Sequence, residues 1–205
     1  FFRDQELSPE AYLDFAKKWG PINVNRFFTP VEGYPSVAEV RKEPHQQYNI
    51  GGNWHTDHSY DQIPALGSML YAKELPKVGG DTLFAGCAAA FDTLSEGMKS
   101  TLRSLRAVHS SRHVFGKSAA IPDDMSDLFG NADKALQDAE HPVVIKHPLS
   151  GRETLYVNPG FTTRFVGWTE KESNSLLAFL YEHISRPEHT YRFQWTKGAL
   201  AFWDN

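Results

Sequence analysis

Cysteine is almost missing from this chain: there is one, Cys87, among 205 residues. No intrachain disulfide can form, which fits a reducing cytoplasm. Cys87 sits in an Ala-rich stretch with no catalytic base beside it, so it reads as a small packed residue and not a nucleophile. Long apolar runs are missing too. None approaches the roughly 20 residues of a membrane span, so no membrane partner is expected. Nor does one sign of charge dominate: 21 Lys and Arg against 25 Asp and Glu leave a net charge of -4. That balance gives no general pull toward nucleic acid or anionic lipid. Internal repeats, low-complexity tracts and convincing linkers are absent as well. The opening residues Phe1-Phe2-Arg3 carry no initiator Met and no signal-peptide pattern, so the chain reads as a fragment of something longer.

What is there suits a packed globular core: 40% apolar residues, 13% aromatic, in a length that favours one domain. Ser8-Pro9-Glu10 predicts a helix start, with a cap, a proline at the first helical position and an acid in the first turn. Ala11, Phe15 and Trp19 recur at i, i+4 and i+8 before Gly20 ends the run. From Pro21 to Pro44 the text is irregular, punctuated by Pro30, Gly33 and Pro35. Strand-like runs are expected at 68–74, 81–84, 142–147, 153–158 and 199–203. The alternation of Tyr191, Phe193 and Trp195 predicts another, turned into the run at 199–203 by Lys197-Gly198. Short helices are expected at 88–94 and 95–105. Thr169 with Glu172 forms a capping box ahead of Leu176, Leu180 and Ile184. Residues 116–140 have weak periodicity and read as a lid or insertion. The sum is a mainly β fold with flanking helices, for which a jelly roll is one option among sandwiches.

One short stretch carries chemistry. His55 and Asp57 stand two residues apart in Trp54-His55-Thr56-Asp57-His58. In an extended strand, side chains at i and i+2 share a face, so an imidazole nitrogen and a carboxylate oxygen would project together. With a second His from elsewhere they would make the facial triad of a non-haem Fe(II) oxygenase.

The surrounding text narrows the reading. Gly67-Ser68-Met69-Leu70-Tyr71 leads to Val78-Gly79-Gly80-Asp81-Thr82, then His147-Pro148 and Leu155-Tyr156-Val157-Asn158. Gly160-Phe161-Thr162-Thr163-Arg164 and Phe202-Trp203-Asp204-Asn205 follow. In this order and spacing the set resembles the taurine dioxygenase (TauD/TfdA) family of Fe(II)/2-oxoglutarate-dependent dioxygenases, along almost the whole chain.

The resemblance implies a double-stranded β-helix, a cupin-like jelly roll, with His55 and Asp57 as two ligands of Fe(II). It makes Thr82 a contact to the carboxylate of the cosubstrate 2-oxoglutarate. It puts the second His ligand, and the Arg that pairs with 2-oxoglutarate, beyond Asn205. It also implies O2 as oxidant, succinate and CO2 as products, and a homo-oligomer. A carboxylate at Asp57 argues against halogenation, since halogenating relatives have a small residue there.

On the substrate side, Asn25 and Phe28 stand where taurine dioxygenase offers a His and a Tyr to the sulfonate, and Gly51 stands where it has an Asn. Phe115 and Phe161 match aromatic positions lining the substrate; Phe27 and Phe28, in a loop that in the family lies over the active site, are as readily core residues as substrate-side ones. A small organic anion with an apolar part is therefore expected, of the aryloxyalkanoate, alkyl sulfate or sulfonate class, in preference to taurine. The alternatives are a Zn-dependent enzyme on the same His-x-Asp pair and a non-catalytic relative.

Overall fold

The structure, a computed structural model, describes residues 1–117, 119 and 131–205. Helix α1 (Pro9–Lys17) begins where the capping residues require, with the Ser8 hydroxyl accepting from Ala11 N at 3.2 Å. It lies on the outside of the sheets: Tyr12 donates its phenol proton to Met69 O at 2.7 Å, and Trp19 packs on Phe202.

The irregular stretch after it contains a hairpin that periodicity does not announce, β1 (Pro30–Val31) with β2 (Tyr34–Ala38). Gly33, at φ +78°, makes the turn. Beyond it, β3 (Gly67–Tyr71) and β4 (Thr82–Ala85) follow each other in sequence. Their partners come in reverse order from the far end of the chain. β10 (Thr190–Phe193) pairs with β4 and β11 (Leu200–Asp204) pairs with β3, both antiparallel. The turn at Lys197-Gly198 therefore does not fold β10 back on β11. It carries the chain from one pair to the next, and a Cβ on Gly198 would stand 2.5 Å from Gln5 O.

Between these ends lies a three-stranded sheet, β6 (Asp138–Pro142), β5 (Arg106–Ser110) and β9 (Thr162–Phe165), with β5 in the middle. A separate hairpin joins β7 (Val144–Lys146) to β8 (Glu153–Leu155). Helices α2 (Cys87–Asp92), α3 (Glu96–Arg103) and α5 (Glu170–Ile184) close over this region, and α4 (Arg112–Phe115) is a single turn after β5. Phe91, Leu102, Val143, Leu155, Phe165 and Leu180 form the centre of the main core. Cys87 packs against that core, and burial pushes its thiol pKa up to about 11, which fits an inert residue. No described helix is long and apolar enough to cross a membrane.

Several boundaries move. The run expected at 142–147 is split, because Pro142 ends β6 and β7 starts only at Val144. Tyr191 is 54% exposed, so only Phe193 of the expected aromatic alternation is buried. The lid expectation is trimmed from its C-terminal side, since 138–140 are ladder residues of β6 and Ala132–Lys134 is a 3-10 turn. The part of it at 118 and 120–130 falls outside the described residues. The capping box of α5 is present in full: Glu172 N donates to the Thr169 hydroxyl and Thr169 N to the Glu172 carboxylate.

Leu180, fully buried between α5 and the sheets, supplies a check on this core. Leu180→Ala is expected to lower the unfolding free energy by about 2–5 kcal/mol, read as a drop in urea midpoint at unchanged m-value.

Candidate metal centre

The His-x-Asp pair is not on a strand. Residues 54–56 have no regular secondary structure, and the chain enters a turn at Asp57 that runs through Tyr60. The convergence expected of a strand is reached all the same: His55 Nε2 lies 3.4 Å from Asp57 Oδ1. His55 Nδ1 is 2.7 Å from the Asn53 carbonyl and donates to it, which leaves Nε2 as the nitrogen with a lone pair. Asp57 Oδ2 accepts from the Ser68 hydroxyl at 2.8 Å. Each side chain thus has one atom pinned and one atom presented.

Electrostatics follow from that contact. Burial works against a charge on His55, yet the hydrogen bond and the charge of Asp57 outweigh it, so the imidazole pKa ends above its ordinary value. Burial likewise penalises the Asp57 carboxylate, and His55 and Ser68 more than compensate, holding its pKa below the usual range.

Two glycines leave room for the imidazole. A Cβ on Gly51, which has φ +65°, would meet His55 Cε1 at 3.1 Å. A Cβ on Gly160 would meet His55 Cβ at 2.7 Å, too close for any side chain without displacement. The Gly160 loop is itself fixed by Asn158, whose Oδ1 accepts from Phe161 N at 2.8 Å and whose Nδ2 donates to the buried Ser59 hydroxyl at 3.1 Å. Behind it, Thr162 Oγ1 accepts from Asn158 N at 2.9 Å and meets His109 Nδ1 at 3.3 Å. Burial, with His141 beside it, pushes the His109 pKa down to about 3, so this ring is neutral at any ordinary pH.

The turn after Asp57 is tied on three sides. His58 takes a left-handed φ of +59° and its Nδ1 meets Asp61 Oδ2 at 2.9 Å. Arg26 donates to the other oxygen of Asp61, and His141 Nε2 donates to the Asp61 carbonyl at 3.0 Å. His58 is thereby committed to Asp61 and not to the His55–Asp57 pair. Among the described residues, no group of three His, Cys, Asp or Glu is assembled.

The aromatic candidates are brought together. Phe27 stacks on Phe115 at 4.4 Å, Phe28 meets Phe115 at 6.4 Å, and Phe161 stands edge-on to the His55 ring at 6.4 Å. Tyr60 fills the centre, 4.8 Å from Phe161 and 6.1 Å from Phe27. Phe27 is 1% exposed and so belongs to the core side of this cluster, while Phe28 and Phe115 are half-buried.

The other candidates stand apart from it. Asn25 spends its carbonyl oxygen on its own loop, accepting from Phe27 N and Phe28 N at 2.9 and 3.2 Å. Thr82 begins β4, and no hydrogen bond among the described residues joins it to His55 or Asp57; its Oγ1 accepts from Trp195 Nε1 at 2.9 Å. Ser68, Asn158 and Gly160 were visible only as parts of longer runs. Tyr60 stood beside the metal pair with no role attached. What assigns them is proximity across 11 to 137 positions, which one sequence does not display.

An imidazole and a carboxylate presented on one side, backed by hydrogen bonds and flanked by aromatic rings, are two donors of the kind a mononuclear metal site uses. The chain belongs to the taurine catabolism dioxygenase TauD, TfdA family, whose model matches residues 1–205. It is 32% identical to an alkylsulfatase of Acinetobacter baylyi over 209 residues, all of this chain and 64% of that protein. To an α-ketoglutarate-dependent 2,4-dichlorophenoxyacetate dioxygenase of Cupriavidus pinatubonensis it is 33% identical, covering 100% of this chain and 75% of the relative. A solved putative α-ketoglutarate-dependent taurine dioxygenase from Burkholderia xenovorans superposes with TM-score 0.79 and 33% identity, over 99% of this chain and 67% of that one. Several of these relatives are longer: the chain spans 53% to 68% of the first three curated ones.

Two outcomes are expected here. Gly160→Ala should weaken Mn(II) or Co(II) binding about tenfold or more by displacing His55, measured by titration calorimetry on the full-length protein. Binding also needs a neutral imidazole, and the His55 pKa is raised. Affinity should therefore be full above that raised pKa and fall as pH drops through it, measured by the same titration at a series of pH values.

Proposed function

We propose that the protein carrying this chain is an Fe(II)- and 2-oxoglutarate-dependent dioxygenase that hydroxylates a small organic anion, with release of succinate and CO2. The observation that carries this reading is the convergence of His55 Nε2 and Asp57 Oδ1 beside an aromatic cluster. The donors fit the metal: one imidazole nitrogen with its lone pair presented and one carboxylate oxygen make the mixed set that non-haem Fe(II) takes. When bound, iron supplies the activation of O2, with 2-oxoglutarate as the source of electrons.

The chain's own residues do the rest by position. His55 and Asp57 hold the metal. Thr82, accepting from Trp195, keeps its own hydroxyl proton for donation, which suits a contact to the cosubstrate carboxylate. Phe28 and Phe115, half-buried and backed by the buried Phe161, form a wall that keeps water from the reacting carbon and offers apolar surface to the substrate. Gly51 places no side chain against His55 and widens the space on that face. The nested pairing of β3 with β11 and β4 with β10 supports the double-stranded β-helix as the frame for this mouth.

Aromatic rings bury on the order of 150–250 Å² each, so the preferred substrate has a sizeable apolar part. An aryloxyalkanoate or a longer alkyl sulfate or sulfonate, hydroxylated next to its heteroatom so that the product falls apart, fits better than taurine. Relatives with those printed activities, on sulfate esters and 2,4-dichlorophenoxyacetate, support the class.

A panel of such acids, assayed for succinate release by the full-length protein, tests this. Turnover is expected to require both Fe(II) and 2-oxoglutarate, to favour aromatic or long-chain acids over taurine, and to vanish in Asp57→Ala. Faster turnover of taurine than of every other acid would overturn the substrate class. Activity with Zn(II) and no 2-oxoglutarate would overturn the reaction itself.

A further inference from the structure

We infer that Ser68, braced by Asn205, is a positioning residue that limits Asp57 to a single metal-facing oxygen. This rests on the reading of His55 and Asp57 as metal ligands. Ser68 lies on β3, and its hydroxyl reaches Asp57 Oδ2 at 2.8 Å. Ser68 Oγ itself is 3.2 Å from Asn205 Nδ2 and 3.3 Å from Asn205 Oδ1. A serine hydroxyl has one proton, and the shorter contact to a carboxylate takes it. Ser68 Oγ is then the acceptor for Asn205 Nδ2, whose amide also reaches Ala65 O at 3.4 Å, while Asn205 N donates to Leu66 O at 3.2 Å. The direction of donation therefore runs from Asn205 through Ser68 to Asp57.

The bracing cannot slip along the strand. Ser68 stands opposite Trp203 in the β3–β11 ladder. At the neighbouring Gly67 a Cβ would fall 2.3 Å from Trp203 O, so the two backbones meet there as closely as chemistry permits.

The consequence is a count of coordination positions. A carboxylate with both oxygens available can occupy two positions on a cation, as many do. With Oδ2 held by a hydroxyl donor, Asp57 offers Oδ1 alone, on the side that faces His55 Nε2. A bound metal would then be held by one atom from His55 and one from Asp57, with the second carboxylate oxygen kept by Ser68. The position so spared would be open to the cosubstrate or O2.

Titrating the metal-free, full-length protein with Co(II), whose visible absorption reports coordination number, tests this without any turnover. Wild type, Ser68→Ala, Ser68→Thr and Asn205→Ala are compared, together with the thermal midpoint of each metal-free form. The expected result for Ser68→Ala is an affinity about 10–100-fold weaker, with an altered Co(II) spectrum and an unchanged midpoint. Ser68→Thr, which keeps the hydroxyl, should restore both, and Asn205→Ala should show a smaller loss in the same direction. Wild-type affinity and spectrum in Ser68→Ala would overturn the inference. So would a loss that Ser68→Thr does not restore and that follows a fallen thermal midpoint, since that is a packing effect. Failure of wild type to bind Co(II) at all would instead overturn the metal-site reading on which this one rests.

Discussion

An imidazole and a carboxylate 3.4 Å apart attract each other only when the ring carries its second proton, and left alone they would rotate toward whatever else offers a hydrogen bond. Holding them side by side with their useful atoms outward depends on occupying the atoms that are not useful. The Asn53 carbonyl does this for His55 Nδ1 and Ser68 does it for Asp57 Oδ2. Sterics finish the work, because Gly51 and Gly160 leave the imidazole one slot between two backbones. Much of the local architecture can be traced to this constraint, including the buried Asn158–Ser59 contact, which has no other evident purpose than to keep residues 158–161 in place.

The segment that carries Phe27 and Phe28 is anchored to the same place. Arg26 lies over the rings of Phe27 and Tyr60 and donates to Asp61, which in turn holds His58. The charge of Arg26 is thus matched at short range inside a largely apolar cluster, the condition under which a half-buried ion pair is retained. Its effect is geometric. The loop that carries Phe27 and Phe28 and the turn after Asp57 share a fixed point at Asp61, so the distance between the aromatic cluster and the His55–Asp57 pair is set by side chains and not by the loop's own stiffness.

Local signals in the sequence were reliable where one short segment determines the outcome. The Ser8 cap, the Thr169–Glu172 box and the Gly-rich turns are contacts within four residues, and they form where expected. The His55–Asp57 pair was legible for the same reason, although the backbone reaches it through an irregular segment and a turn in place of a strand. Contacts across the chain were not legible. Nothing in Arg106–Ser110 marks it as a central strand, because its alternation is blurred by His109, a polar residue that is fully buried. Tyr191 misleads in the opposite sense: it reads as inward, but on β10 it faces out toward Phe1. Ser68 and Asn205 gain their meaning only when β3 and β11 are laid together.

That last pairing has a kinetic side. Ser68 and Asn205 are 137 positions apart, and β4 waits for a partner almost as remote. Synthesis proceeds at about 5–20 residues per second, so a nascent chain spends several seconds with the His55–Asp57 turn outside the ribosome and no β11 to brace it. Pairings of such long sequence separation form slowly, after the loop between them has been gathered in. During that interval the β3 edge is open and can pair with any strand that passes. The Ser68 brace on Asp57 thus waits for a residue 137 positions further on, so its closure reports long-range docking and not collapse.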